Sequence, residues 1–136
     1  MKKNVKQTYA ALDFLFDSEF NVNEITERFG IKPKNAYCKN EKYFTNREKT
    51  RDHGRWTYYS PYLENCDSLN DLLETMFNPI EDKIISLRDY VVQNNGEIRL
   101  VIYVMPYTNK FDLSISGKAK NLLHTLNPDI EFDLMK

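Results

Sequence analysis

Apolar residues alternate with others along residues 8–16, TYAALDFLF, so that Ala10, Leu12, Phe14 and Phe16 share one face. That period of two predicts a half-buried strand. Asp17-Ser18 breaks it, and the period then lengthens to that of a helix burying Val22, Ile25 and Phe29. Asn21 and Glu24 resemble a capping box, with Phe20 and Ile25 as its hydrophobic staple. Gly30 suits the left-handed end of that helix, and Pro33 disfavours its resumption.

Residues 34–54 show neither period clearly, and only short strands at 36–38 and 42–45 are expected there. The polar loop 46–54 closes on His53-Gly54, a turn signal. Strand 55–60 follows, with Trp56, Tyr58 and Ser60 on one face and Arg55, Thr57 and Tyr59 on the other. Leu69, Leu72, Leu73, Met76 and Phe77 then form one helical stripe behind Ser68. Asn78-Pro79 reads as a fresh N-cap with proline at the first helical position, turning the chain into a third helix lined by Ile80, Ile84, Leu87 and Val91. Residues 98–105 are apolar on both faces except at Arg99, which predicts a central strand. Residues 111–115 suggest a short strand. A last helix carries Ala119, Leu122, Leu123 and Leu126 inward, and a final strand over 129–135 turns Ile130, Phe132 and Leu134 inward.

The order strand, loop, short helix, strand occurs at both ends of the chain, over 9–33 and 98–134. The predicted fold is therefore α+β: one domain spanning 1–136, with helices covering a mainly antiparallel sheet built from two β-loop-α-β units. The expected arrangement is ferredoxin-like or a related split βαβ.

Leu12-x-Phe14, Glu24-Ile25-Thr26, Gly30-Ile31-x-Pro33, Lys39, Trp56, Leu126-Asn127 and Ile130-x-Phe132-Asp133 together resemble the bacterial domain-of-unknown-function family 4279, over about residues 8–134. The resemblance implies a small domain of bacterial or phage origin and carries over no catalytic residues. One departure stands out: Lys39-Asn40 occupies a position where a Lys-Gly pair, and hence a tight turn, is expected.

Composition narrows the chemistry. A length of 136 residues is enough to bury a core without metal or disulfide staples. The formal charge of −1 argues against wholesale attraction to nucleic acid or membrane. No apolar run approaches the roughly 18 residues a membrane helix needs, and the basic N-terminus lacks a signal-peptide core, so a cytoplasmic location is expected. Cys38 and Cys66 have neither CxxC nor zinc-like spacing and read as reduced thiols. His53 and His124 form no paired ligand set, no nucleophile elbow is present, and the glycines are scattered singly. No cofactor, metal or catalytic activity is expected. Asp129, Glu131 and Asp133 alternate on what reads as the solvated face of the last strand.

One candidate remains. Residues 39–55 hold six basic side chains against three acidic ones, interleaved or flanked by Tyr43, Phe44, Trp56 and Tyr58. Arginine with aromatics suits protein hot spots and single-stranded nucleic acid. Trp56 and Tyr58 have a plainer reading as core, because alternation marks burial. Residues 64–82 carry six acids and no base, several of them in helix first turns where the macrodipole accounts for them. The expected binding set is Arg51, His53, Arg55, Trp56 and Tyr58, with Arg51, His53 and Arg55 displayed and Trp56 anchoring the loop. The expected function is a non-enzymatic protein-binding module of immunity or inhibitor type. The alternative is a nucleic-acid-binding module using residues 39–58.

Overall fold

The computed structural model describes residues 7–43, 45–61, 63–104 and 110–134. Phe44, Met105, Met135 and residues 1–6, which the sequence reading also used, lie outside them. The fold is α+β. Strand β1 (Gln7–Phe16) sits at the middle of a mixed sheet between β3 (Gly54–Tyr59) and β5 (Glu97–Val104), antiparallel to both. Strand β2 (Asn35–Tyr37) lies antiparallel outside β3, and β6 (Asp129–Leu134) lies parallel outside β5. The two-residue β4 (Leu63–Glu64) pairs with the start of β1. The order β2-β3-β1-β5 is the split βαβ plan of ferredoxin-like domains, extended by β6. The two terminal units are therefore not equivalent. β3 separates β1 from β2, whereas β5 and β6 are direct parallel neighbours, as a helical crossover permits.

Local signals account for the helices. In α1 (Val22–Phe29) the Asn21 side chain accepts from the Glu24 amide at 3.1 Å, and Gly30 closes the helix at φ 69°. Only half of the capping box forms: the Glu24 carboxylate pairs with Arg28, and the Asn21 amide donates to the Tyr90 hydroxyl. Ser68 caps α2 (Leu69–Phe77) through the Asp71 amide at 3.2 Å. Asn78 is not the fresh N-cap its sequence suggests. It keeps right-handed helical angles and its amide bonds to the Glu74 carbonyl, so the chain tightens into a 3-10 run, Asn78–Lys83, before α3 (Ile84–Gln93). Pro79 needs no amide partner at the start of that run, which lets the helical path continue. Helix α4 (Gly117–Leu126) connects β5 to β6.

The helices and one face of the sheet share a single core, to which β1 gives Ala10, Leu12, Phe14 and Phe16. Trp56 lies at its centre, fully buried, 4.6 Å from the Phe29 ring centroid and 5.8 Å from that of Phe14. Its indole N–H donates to Thr26 Oγ1 at 3.1 Å, so the one polar atom of the ring is satisfied.

Three further expectations need correction. Residues 111–115 form no strand; Asp112 makes a single parallel bridge to Ser68. Lys42 likewise only bridges Thr50. On β6, Ile130, Phe132 and Leu134 do face the helix side, in register with Leu100, Ile102 and Val104, yet all three are exposed. An edge strand has no further strand beside it, and here the helix layer leaves it uncovered.

Candidate functional site

Because side chains alternate along a strand, filling one face of the sheet fixes what the other must display. The helix-free face receives Tyr9, Ala11, Asp13 and Leu15 from β1, Arg55, Thr57 and Tyr59 from β3, and Arg99, Val101 and Tyr103 from β5. Register sets Asp13 directly between Thr57 and Arg99, with Arg55 two pairs further along and so on the same face. Asp13 is fully buried. Its Oδ1 accepts from Arg55 Nη2 at 2.9 Å, Arg55 Nε at 3.1 Å and Thr57 Oγ1 at 2.6 Å. Its Oδ2 accepts from Arg99 Nη2 at 3.0 Å and Arg55 Nη2 at 3.1 Å. Desolvating a carboxylate costs several kcal/mol, and charge-assisted bonds from two guanidinium forks offset that cost. Burial alone would lower the Arg55 pKa, but the Asp13 charge and hydrogen bonds outweigh it and hold the guanidinium above its ordinary value. One buried negative charge thus holds two half-buried positive ones in fixed orientation.

Beside this centre the tyrosines assemble. Tyr9 stacks on Tyr103 with centroids 4.6 Å apart and lies 5.6 Å from Tyr59, and Lys34 Nζ sits 6.0 Å above the Tyr59 ring. At the far end of the face, Leu15, Asp17, His53, Arg55, Glu97 and Arg99 line most of a cavity of about 190 Å³.

Three of the five expected binding residues gather around Tyr37, a side chain the sequence did not single out. Arg51 is sandwiched between the Tyr37 and Tyr43 rings, 4.0 and 3.7 Å from their centroids. His53 meets Tyr37 edge-on and bonds to Asp52 at 2.6 Å. Arg55 stands opposite Tyr37 across β2 and β3. The loop that carries them is tied across its base by Asn40 N–H to Arg51 O at 2.8 Å and Arg51 N–H to Glu41 O at 2.7 Å. Asn40 itself adopts φ 69°, the left-handed conformation that the expected glycine would supply. Asparagine tolerates that region better than other side chains, so the tight turn survives the departure from Lys-Gly.

The remaining two candidates turn the other way. Trp56 is wholly enclosed, and Tyr58 is buried with its hydroxyl donating to the Met76 carbonyl at 3.1 Å. Alternation on β3 sends both into the helix-side core, so neither ring reaches the surface that Arg55 occupies. Arg55 is also no loop-tip residue, being bound to a buried carboxylate. Sequence reasoning passed over Asp13, Arg99 and the three tyrosines, though a signal was there. Asp13 is the only charge in β1, and Arg99 the only charge in β5 beyond its first residue, Glu97; such interruptions are inexpensive when they face each other.

A catalytic arrangement is not assembled by these residues. Cys38 donates to the Phe20 carbonyl at 3.2 Å, and His53 is engaged by Asp52 and Tyr37, so no hydrogen bond joins the thiol to the imidazole. Among the described residues no cluster of His, Cys, Asp and Glu could hold a metal ion, and no helix is long and apolar enough to cross a membrane. Burial raises the pKa of the Cys38 and Cys66 thiols and of the Tyr58 and Tyr103 hydroxyls. A group whose folded pKa is raised contributes stability below its unfolded pKa and loses it as pH climbs through the folded value. Stability is therefore expected to decline on the alkaline side, from about pH 8 upward where unfolded thiols, with an ordinary pKa of about 8.5, begin to ionise. Urea midpoints measured from pH 7 to 11 check this, and a flat profile would contradict it.

In comparison with known proteins, the family model described as Domain of unknown function (DUF4279) matches residues 6–135, nearly the whole chain. Neither the curated proteins nor the solved structures contain a significant match.

Proposed function

The chain belongs to the DUF4279 family, and from that premise we propose that it is a non-catalytic module that binds a partner protein through the helix-free face of its sheet. The observation that carries this reading is the fixed Arg55–Asp13–Arg99 centre beside the Tyr9, Tyr59 and Tyr103 cluster, on the face of the sheet turned away from the core that the described helices share. Tyrosine and arginine dominate protein hot spots because they bring large contact area and directional donors at low entropic cost. Here the rings are braced against one another and the guanidiniums against Asp13, so little ordering remains for the moment of binding. A stoichiometric inhibitor or immunity-type protein working in the cytoplasm would use such a preformed surface.

Aromatic rings beside guanidiniums on an open sheet of this topology also favour a second reading, in which single-stranded nucleic acid stacks on the face. Charge weighs against it. Glu97, Asp129, Glu131 and Asp133 project from the same side of β5 and β6 and would repel phosphates.

A photo-crosslinking residue in place of Tyr59 is expected to yield adducts with a protein, and Tyr59→Ala with Tyr103→Ala is expected to abolish capture of that protein in a folded chain. Unchanged capture by the double variant would remove this face from recognition. Binding of a single-stranded oligonucleotide with affinity falling steeply as salt rises would establish the second reading instead.

A further inference from the structure

Strand β6 has β5 on one side and no strand on the other among the described residues. Ile130, Phe132 and Leu134 are 43%, 48% and 73% exposed. They are half of the six large apolar side chains that the described residues leave exposed, so the exposure is concentrated on one edge. Leu123, Pro128 and Ile130 line part of a groove of about 480 Å³ between α4 and this strand. On the opposite side of the same strand stand three carboxylates, Asp129, Glu131 and Asp133. We propose that the free edge of β6 is a docking site for an extended segment of a partner protein that alternates basic and apolar residues and adds to the sheet as a further strand.

Charge selects the occupant. An added strand satisfies the open backbone groups of β6 whatever its sequence, and its side chains decide specificity. Its residues beside Asp129, Glu131 and Asp133 must be cationic, because opposite charges on neighbouring strands attract and like charges repel. Its alternate residues fall beside Ile130, Phe132 and Leu134 and must be apolar, the end nearest α4 entering the groove. A second copy of this chain fits badly. In an antiparallel β6–β6 pair the acids oppose one another, and a shift by one residue sets every acid against an apolar side chain. The acids thus guard the edge against self-association while leaving it open to a basic strand, one of the devices by which natural edges are managed. This site goes beyond the face assigned above and does not depend on it.

The test uses the full chain and two synthetic hexapeptides with blocked ends, one alternating Lys and Val, the other alternating Glu and Val. The lysine peptide is expected to shift and protect the amides of residues 129–134, and to bind about tenfold or more tighter than the glutamate peptide, a difference of about 1.4 kcal/mol or more. Glu131→Lys with Asp133→Lys is expected to invert that preference, and Phe132→Ser to weaken both peptides, with the remaining amide signals unchanged to show an intact fold. Tyr59→Ala should leave peptide binding as it is, which separates this site from the tyrosine face. Equal binding of the two peptides, amide shifts elsewhere, or a concentration-dependent dimer through β6 would each overturn the proposal.

Discussion

Ile102→Asp is expected to abolish cooperative folding. Ile102 is about 1% exposed, paired in register with Ala10 of β1 on one side and Phe132 of β6 on the other. Its side chain enters the core shared with the helices. Among the described residues no cation is buried in that core, and the guanidiniums of Arg55 and Arg99 lie on the opposite face of the sheet. An unpaired buried charge costs several kcal/mol, and the lost apolar contact adds about 1.5–3 kcal/mol. Domains of this size are stable by only about 5–15 kcal/mol, so the sum removes most or all of the margin. Circular dichroism across a urea titration reads the outcome. The control is Ile130→Asp, on the same side of the sheet but on the exposed edge strand, where about 0.5 kcal/mol or less is expected. A cooperative transition with an unchanged midpoint for Ile102→Asp would remove β5 from the core.

Arg55→Glu is the second large effect, and it reverses what the loop's polarity suggests. Read from the sequence, Arg55 begins a strand after a solvated loop and its reversal together with Arg51 should leave stability nearly unchanged. In the structure Arg55 makes three hydrogen bonds to the buried Asp13 carboxylate. Removing one partner of a buried ion pair typically costs about 3–5 kcal/mol, and glutamate adds a like charge where the guanidinium stood. Arg99 remains on the other oxygen, which keeps Asp13 from being wholly unpaired. Arg51→Glu, by contrast, touches no buried carboxylate and forfeits two stacking contacts with Tyr37 and Tyr43, worth about 0.5–1 kcal/mol each at exposed sites and more where, as here, the pair is partly buried. Urea midpoints of the two single variants should therefore differ widely. Adding Asp13→Asn should recover part of the Arg55→Glu loss by removing the repulsion. If the two variants unfold alike, with no recovery from Asp13→Asn, the ion pair does not contribute as its geometry requires.

Charge interruptions in apolar strands repay attention for this reason. Asp13 and Arg99 each look like an isolated exception when a strand is read alone. Together with Arg55 they turn a surface that alternation marks only as "not core" into an oriented polar centre. The same logic separates the two tyrosine sets on β3: Tyr58 packs among the helices, while Tyr59, one residue on, joins the open-face cluster.

Elements whose order comes from near neighbours were legible in the chain itself. The period-two pattern of 8–16 became β1, the Asn21 and Gly30 signals bound α1, and the Ser68 cap with its leucine stripe became α2. The resemblance to family 4279 held over nearly the whole chain as well. Each of these is decided within a few residues by backbone sterics, capping or side-chain period. What lay beyond reach depends on partners distant in the chain. Asp13 is buried because Arg55 and Arg99, 42 and 86 residues away, arrive on either side of it. Ile130, Phe132 and Leu134 alternate as faithfully as any core strand, yet stay exposed because β6 falls at the sheet edge, where the helix layer does not cover it. Alternation tells which residues share a side. Only the assembled sheet and helices decide which side is covered, and therefore where a charge can be held and where an apolar row is left open.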